Sequence, residues 1–312
     1  MNPARKQPAL PRLLIVGCGD IGLRLLPLLR RRFRIFALTH DASQREPLRA
    51  AGAVPIIANL DQPRQLARLR GLAQYIVHLA PPPRDGQTDS RTRHLIPLLP
   101  AGATVIYVST TGVYGDCGGA AFDETRPIKP HTGRAQRRAD AEQVLRNWGR
   151  DHGGKVAILR VPGIYAADRL PRVRLQRSLP ALLPHEDVYT SHIHADDLAR
   201  AIALALFRAR PNRVYHACDD SVLKMGDYFD LVAEMLQLPR PPRLPKEELA
   251  NVLSPQSLSF MNESRRPSNR RLKEELRLRL RYPQVHTYLF SEGLRREFGR
   301  DNTRIATSKL TP

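Results

Sequence analysis

Three glycines, Gly17, Gly19 and Gly22, stand as G-x-G-x-x-G in the stretch LLIVGCGDIGLRLL, between an apolar run and a leucine-rich segment with helical spacing. Between a strand and a helix, those residue types suit the cradling of a diphosphate. Gly17 permits a tight turn, Gly19 lets a pyrophosphate approach the backbone, and Gly22 lets the helix pack closely on the strand. The first turn, Asp20 and Ile21, then holds the anion at the helix amino end. The next apolar run ends in ALTHDASQR. An acidic residue at that strand end would bind the ribose 2′-hydroxyl of NAD(H). Here Thr39 and His40 occupy it with Arg45 close behind, which favours the extra phosphate of NADP(H). Asp41, one step late, keeps NAD(H) open.

Such a site needs strands and helices to hold it. RLLIVG, FRIFALTH, AVPIIAN, QYIVHLA, ATVIYVST and KVAILRVPGIY are strand-like runs, separated by helical or polar segments such as IGLRLLPLLRRR and the stretch 134–149. Strands alternating with helices predict right-handed crossovers and a parallel sheet covered on both faces. The fold class expected is therefore α/β, a Rossmann-like doubly wound sheet over 11–165 with a return segment at 188–220. The looser, proline-punctuated segments 166–187 and 221–290 are expected to form a smaller C-terminal substrate lobe, and 291–312 a tail.

Bulk properties narrow the function classes. The chain has 312 residues, 42% of them hydrophobic, which supports a folded core. No apolar run is long enough to cross a bilayer and no leader-like start is seen, so a cytoplasmic protein with no membrane partner is expected. Cys18, Cys117 and Cys218 are too far apart for a zinc-type spacing, so no metal is expected. The net charge of +20 is carried mostly by arginines scattered from end to end. That distribution is read as a compositional bias rather than a nucleic-acid site.

Six stretches then line up in order: HLA at 78–80, VSTTGVYGD at 108–116, LRVPGIYAADR at 159–169, HIHADDLARAI at 192–202, VYHACDD at 214–220 and SNRRLKEEL at 268–276. Together they resemble the extended short-chain dehydrogenase/reductases, the NAD-dependent epimerase/dehydratase family, over nearly the whole chain. The G-x-G-x-x-G spacing is similar to that of its atypical members. The resemblance implies that Leu79 and Ala80 pass behind the cofactor, that Asn59, Leu60 and Asp61 lie near the adenine, and that Val161, Pro162 and Gly163 approach the nicotinamide. It makes Thr110 the catalytic hydroxyl, bonded to a substrate oxygen. It also implies a homodimer through helices near 88–99 and 134–149.

The family carries Tyr-x-x-x-Lys on the helix after the fifth strand. Counting back from Glu142, those places hold Arg134 and Arg138. Four residues apart, they share one helix face, but a guanidinium stays protonated and cannot serve as a general base. Arg138 suits a ribose or phosphate; Arg134 suits an anionic substrate or a polarised carbonyl. The proton must then come from elsewhere, with Tyr114, Tyr165, His131 and His192 as candidates and Tyr165 the preferred one. Two functions compete: an NAD(P)-dependent oxidoreductase or epimerase/dehydratase-like enzyme acting on a small molecule, and a non-catalytic sensor of the NADP(H) redox state. Arg172, Arg174 and Arg177 add a hint of an anionic substrate.

Overall fold

In a computed structural model that describes residues 9–291 and Leu294, seven strands form one parallel sheet. They are β1 (Arg12–Val16), β2 (Arg34–Thr39), β3 (Val54–Ile57), β4 (Tyr75–His78), β5 (Thr104–Thr110), β6 (Lys155–Val161) and β7 (Arg213–His216). Their spatial order is β7-β6-β5-β4-β1-β2-β3, so the order in which strands are added reverses between β1 and β4. Ligands of such sheets bind at that reversal, outside the strands' carboxyl ends.

The strands are near-continuous apolar runs because both faces are covered. On one face α1 (Asp20–Leu29) and α6 (Ala195–Arg208) pack together and bury Leu25, Leu26, Leu198 and Ile202 against Leu13, Ile15 and Ile106. On the other, Leu66, Leu95, Leu145 and Trp148 cover Leu14, Ile76, Val105 and Ile158. Leu95 comes from α3 (Ser90–Leu95), and Leu145 and Trp148 from α4 (Gly133–Asp151), while α2 (Arg45–Ala50) adds Leu48 to the first face and α5 (Arg172–Gln176) adds Leu175 to the smaller lobe. A third cluster forms the smaller lobe, in which Tyr228, Phe229 and Val232 of α7 (Met225–Leu236) meet Leu182, Leu249, Val285 and Tyr288.

The run KVAILRVPGIY is not one strand. Pro162 has no N–H to donate, and the chain leaves the sheet there. Gly163–Tyr165 instead pairs in parallel with His192–His194, with Gly163 opposite His192 and Tyr165 opposite His194. The expected C-terminal tail, 291–312, lies almost wholly outside the described residues.

α4 is poor in apolar residues, and its docking depends on a buried ion pair. Arg160 of β6 donates to both carboxylate oxygens of Glu142, at 3.1 and 2.6 Å. The two side chains are only 6% and 3% exposed. Arg160 also donates to the Tyr114 hydroxyl at 2.6 Å, which lies 2.7 Å from His216 Nε2, and His216 Nδ1 is 3.0 Å from Ser268 O. The hydroxyl, with Arg160 as its donor, passes its own proton toward His216. Breaking one partner of a buried pair leaves an uncompensated charge. Arg160→Met is expected to lower the free energy of unfolding by roughly 3–5 kcal/mol, measured by urea titration; a loss below about 0.5 kcal/mol would show that the pair does not anchor α4.

Candidate functional site

The glycine turn follows β1. Gly17 has φ +81°, and a Cβ there would stand 2.7 Å from the Ala80 backbone. The close approach is fixed by Val16 O, which accepts from both Leu79 N and Ala80 N, at 2.9 and 3.0 Å. Leu79 and Ala80 thus line the back of the turn. A Cβ at Gly22 would meet Cys18 Sγ at 2.6 Å, so that glycine serves packing beneath the turn. A Cβ at Gly19 would meet nothing within 4 Å. Gly19 caps α1 and faces open space at the positive end of the helix, a cradle that a diphosphate would fill.

Asp20 and Ile21 form the first turn of α1, both half-buried. The Asp20 carboxylate is engaged by Arg24 Nε at 2.9 Å and Arg169 Nε at 2.7 Å. Despite partial burial, which opposes it, these guanidiniums hold the Asp20 carboxyl below the usual range. Arg24 also reaches Asp196 at 2.6 Å, so α1, the 167–169 turn and the start of α6 meet beside the cradle.

At the end of β2, Thr39 Oγ1 accepts from Asp41 N at 3.2 Å, and the Asp41 carboxylate accepts from Ser43 N and Ser43 Oγ at 2.9 and 2.6 Å. The late acid is thus engaged in its own turn, while His40 and Arg45 are exposed. Beyond β3, Asn59 Oδ1 accepts from Asp61 N at 2.9 Å, and Leu60 is buried with its carbonyl 2.7 Å from His94 Nδ1. Asp61 is clamped by Arg91 at 2.8 and 2.7 Å.

Thr110 ends β5 and is half-buried; its Oγ1 accepts from Gly112 N at 3.1 Å, which leaves the hydroxyl proton available to a partner. Arg138 reaches down from α4 to the ends of β4 and β5. Its Nη1 donates to Val108 O at 2.8 Å and the Tyr107 hydroxyl at 3.0 Å, and lies 3.5 Å from Ala80 O. Arg134, one turn earlier, is exposed at the rim. Partial desolvation and the guanidiniums of Arg138 and Arg137 hold it below the usual arginine range. Arg137 does not share their face: it is 8% exposed and donates to Gly86 O at 2.5 Å. Pro162 is half-buried at the break after β6.

The preferred proton donor fails on burial. Tyr165 is fully buried, its ring edge-on to His192, His194 and Tyr288, and burial pushes its hydroxyl far above the usual range. It has no surface to offer a ligand. Tyr114 is occupied by Arg160 and His216. His192 is stacked on Tyr228 and pushed by burial down to about 3. Of the four candidates, only His131 is exposed, against Gly115 at the entry to α4.

A feature missed in the sequence lies beyond β7. A cavity of about 240 Å³ opens between the sheet and the lobe, lined by Tyr189, Ser191, Asp219, Ser221, Arg266 and Asn269 among others. Ser191 O accepts from Gly163 N at 3.2 Å, which joins the cavity wall to the segment beside Pro162. The one sequence signal was the paired acid at the end of VYHACDD.

Residues 13–218 match the model of the NAD dependent epimerase/dehydratase family. A dTDP-glucose 4,6-dehydratase from Streptomyces niveus is 27% identical over 119 residues, which cover 36% of this chain and 35% of that one. The chain thus spans about a third of the length of that curated relative. A structure of a functionally unknown conserved protein from Silicibacter pomeroyi superposes with a TM-score of 0.76 at 29% identity, covering 92% of this chain and 99% of that one. The UDP-glucose 4-epimerase of Thermotoga maritima, solved with UDP-glucose, gives a TM-score of 0.72 at 18% identity over 94% and 99%, a likeness of fold.

The buried histidines around the site set an acid limit. Burial pushes His78, His192 and His216 down to about 3 and His194 to about 4. The unfolded chain takes up these protons near pH 6.5, so the folded state loses stability as pH falls from there toward 4. Asp219, raised to about 7 by burial, acts in the opposite sense, adding stability that fades as pH rises through 7. Glu124 and Asp187, also raised by burial, act as Asp219 does, while carboxylates held low by their partners, such as Asp61 and Glu275, act with the four histidines. The urea midpoint is expected to fall steadily between pH 6.5 and pH 4, and a flat profile would contradict the neutral, buried state of these histidines.

Proposed function

The chain belongs to the NAD-dependent epimerase/dehydratase family, and from that premise we propose that it is an NADP(H)-preferring enzyme of the atypical short-chain dehydrogenase/reductase type, acting on a sugar nucleotide. The observation that carries the reading is the open cradle at Gly19, enclosed behind by Gly17 and Ala80 and continued to Thr110 and Arg138 along the carboxyl ends of β1, β4 and β5. When bound, the nicotinamide supplies hydride exchange.

The residues have separable tasks. The α1 amino end and the Gly19 backbone bind the diphosphate. His40 and Arg45, exposed past β2, meet the 2′-phosphate, with Asp41 engaged in its own turn. Arg138, fixed by two hydrogen bonds to β5, binds the nicotinamide-side ribose in the place of the family's lysine. Thr110 donates its hydroxyl proton to a substrate oxygen, and Arg134 at the rim polarises that oxygen or holds an anionic group of the substrate. His131, exposed against Gly115 at the entry to α4, is the candidate for the proton transfer. The cavity between sheet and lobe takes the rest of the substrate.

A second reading, a sensor of the NADP(H) redox state, draws on the same two arginines: permanently protonated guanidiniums stand where the family keeps its acid. The two readings part on turnover, since a sensor binds the nucleotide and leaves a sugar nucleotide unchanged.

The cofactor assignment is tested by titrating NADPH and NADH against wild type, Arg45→Glu and Arg138→Gln. Wild type is expected to prefer NADPH. Arg45→Glu is expected to weaken NADPH by roughly tenfold or more and leave NADH nearly unchanged, the scale of one charge-assisted contact. Arg138→Gln is expected to weaken both. Equal affinity of wild type for the two nucleotides would remove the phosphate preference.

A further inference from the structure

After β7 the chain runs Ala217, Cys218, Asp219, and Asp219 turns into the wall of the cavity between sheet and lobe. The residue is 6% exposed. Its N–H donates to His192 O at 2.7 Å and its Oδ1 accepts from Ser221 N at 2.9 Å. Oδ2 is buried and, among the described residues, has no well-formed hydrogen bond, the Tyr165 hydroxyl lying beside the carboxylate as a partial donor. Across the same cavity, Arg266 stacks its guanidinium 4.9 Å from the Tyr189 ring centroid, and its Nε is likewise buried without an acceptor.

The groups around Asp219 explain why it stays unsatisfied. The Tyr165 hydroxyl stands beside the carboxylate and interacts with it without closing a well-formed hydrogen bond, and Tyr228 is near enough to feel its charge. His192 is neutral. Asp220 adds a like charge and is itself paired with Lys273 and Asn269. Burial, with Asp220 assisting, pushes the Asp219 carboxyl up to about 7. Asp219, with one oxygen short of a well-formed hydrogen bond, and Arg266, with Nε unaccepted, thus line one cavity, and an occupant offering both a donor and an acceptor would complete the two.

We propose that Asp219 determines specificity in the substrate cavity, its Oδ2 accepting a hydrogen bond from a hydroxyl or N–H of the substrate while Arg266 Nε donates to a neighbouring acceptor. The inference rests on the sugar-nucleotide reading of the cavity given above. It assigns that cavity a neutral, donor-bearing edge of the ligand. A donor on Oδ2 favours the carboxylate, so binding below pH 7 displaces the proton from Asp219 to solvent.

The test is calorimetric titration of UDP-glucose, whose own groups do not titrate over the interval, at pH 6 and pH 8 in two buffers of different ionisation enthalpy. Wild type is expected to bind about tenfold more tightly at pH 8, the change for one group of pKa near 7, and to release close to one proton on binding at pH 6. Asp219→Asn is expected to bind with no pH dependence and no proton release. A structural role for Asp219 would change affinity without removing a pH profile. Wild-type binding that is the same at both pH values, or an Asn variant that keeps the wild-type profile, would overturn the assignment. If the variant does not fold, the wild-type proton release decides alone. Absence of UDP-glucose binding at either pH would overturn the sugar-nucleotide reading itself and Asp219's role with it.

Discussion

The bidentate pairing of Arg160 with Glu142 is the contact on which the rest of the site depends. Leu145 and Trp148 bury apolar area in the second half of α4, but the buried residues of its first half are Ala135, Arg137, Ala141 and Glu142, so apolar area alone would hold that half weakly. The ion pair fixes the helix against β6 at one height and one rotation. Given that register, Arg138, one turn before Glu142, must fall on the ends of β4 and β5, and Arg134 one turn further must reach the rim. The same guanidinium passes through Tyr114 to His216 on β7, so two adjacent strands, the turn after β5 and one helix share a single hydrogen-bonded network.

The glycine turn and the sheet were legible because their signals are local. Apolar runs of strand length, each followed by a turn or helix, fix a parallel sheet, and Gly17, Gly19 and Gly22 carry three different constraints that the structure separates: a positive φ, an open cradle and a tight packing contact. Arg134 and Arg138 were placed on one face by helical spacing alone. What the spacing could not show was that Arg137 would be buried and directed away to Gly86, because that depends on a loop fifty-one residues distant in sequence. Tyr165 was misjudged for a related reason. Its position after β6 suggests a ligand-facing edge, but Pro162 breaks the strand and turns the next three residues into the lobe. Asp219 gave almost no signal, since its unsatisfied oxygen is a property of packing between segments distant in the chain.

The high positive charge also finds a structural account. Many arginines serve as anchors to backbone carbonyls: Arg137 to Gly86, Arg138 to Val108, Arg146 to Asn212, Arg208 to Leu276, Arg265 to Gly115 and Arg271 to Val214. A guanidinium with five donors in a rigid fork suits this task better than a lysine does. Each such side chain adds to the net charge while its guanidinium is engaged by the backbone, in keeping with arginines spread along the whole chain.

The central claim is that the turn at Gly19 holds a nicotinamide dinucleotide. It is tested most directly by titrating NADPH against the wild-type protein and Gly19→Asp and following the fluorescence of the bound nucleotide. The substitution adds a carboxylate where an added Cβ meets no atom of the described residues within 4 Å, so the fold should survive while a diphosphate is excluded. The account predicts saturable binding by wild type and none by a folded Gly19→Asp. Equal binding by both would place the nucleotide elsewhere, and no binding by wild type would contradict the account.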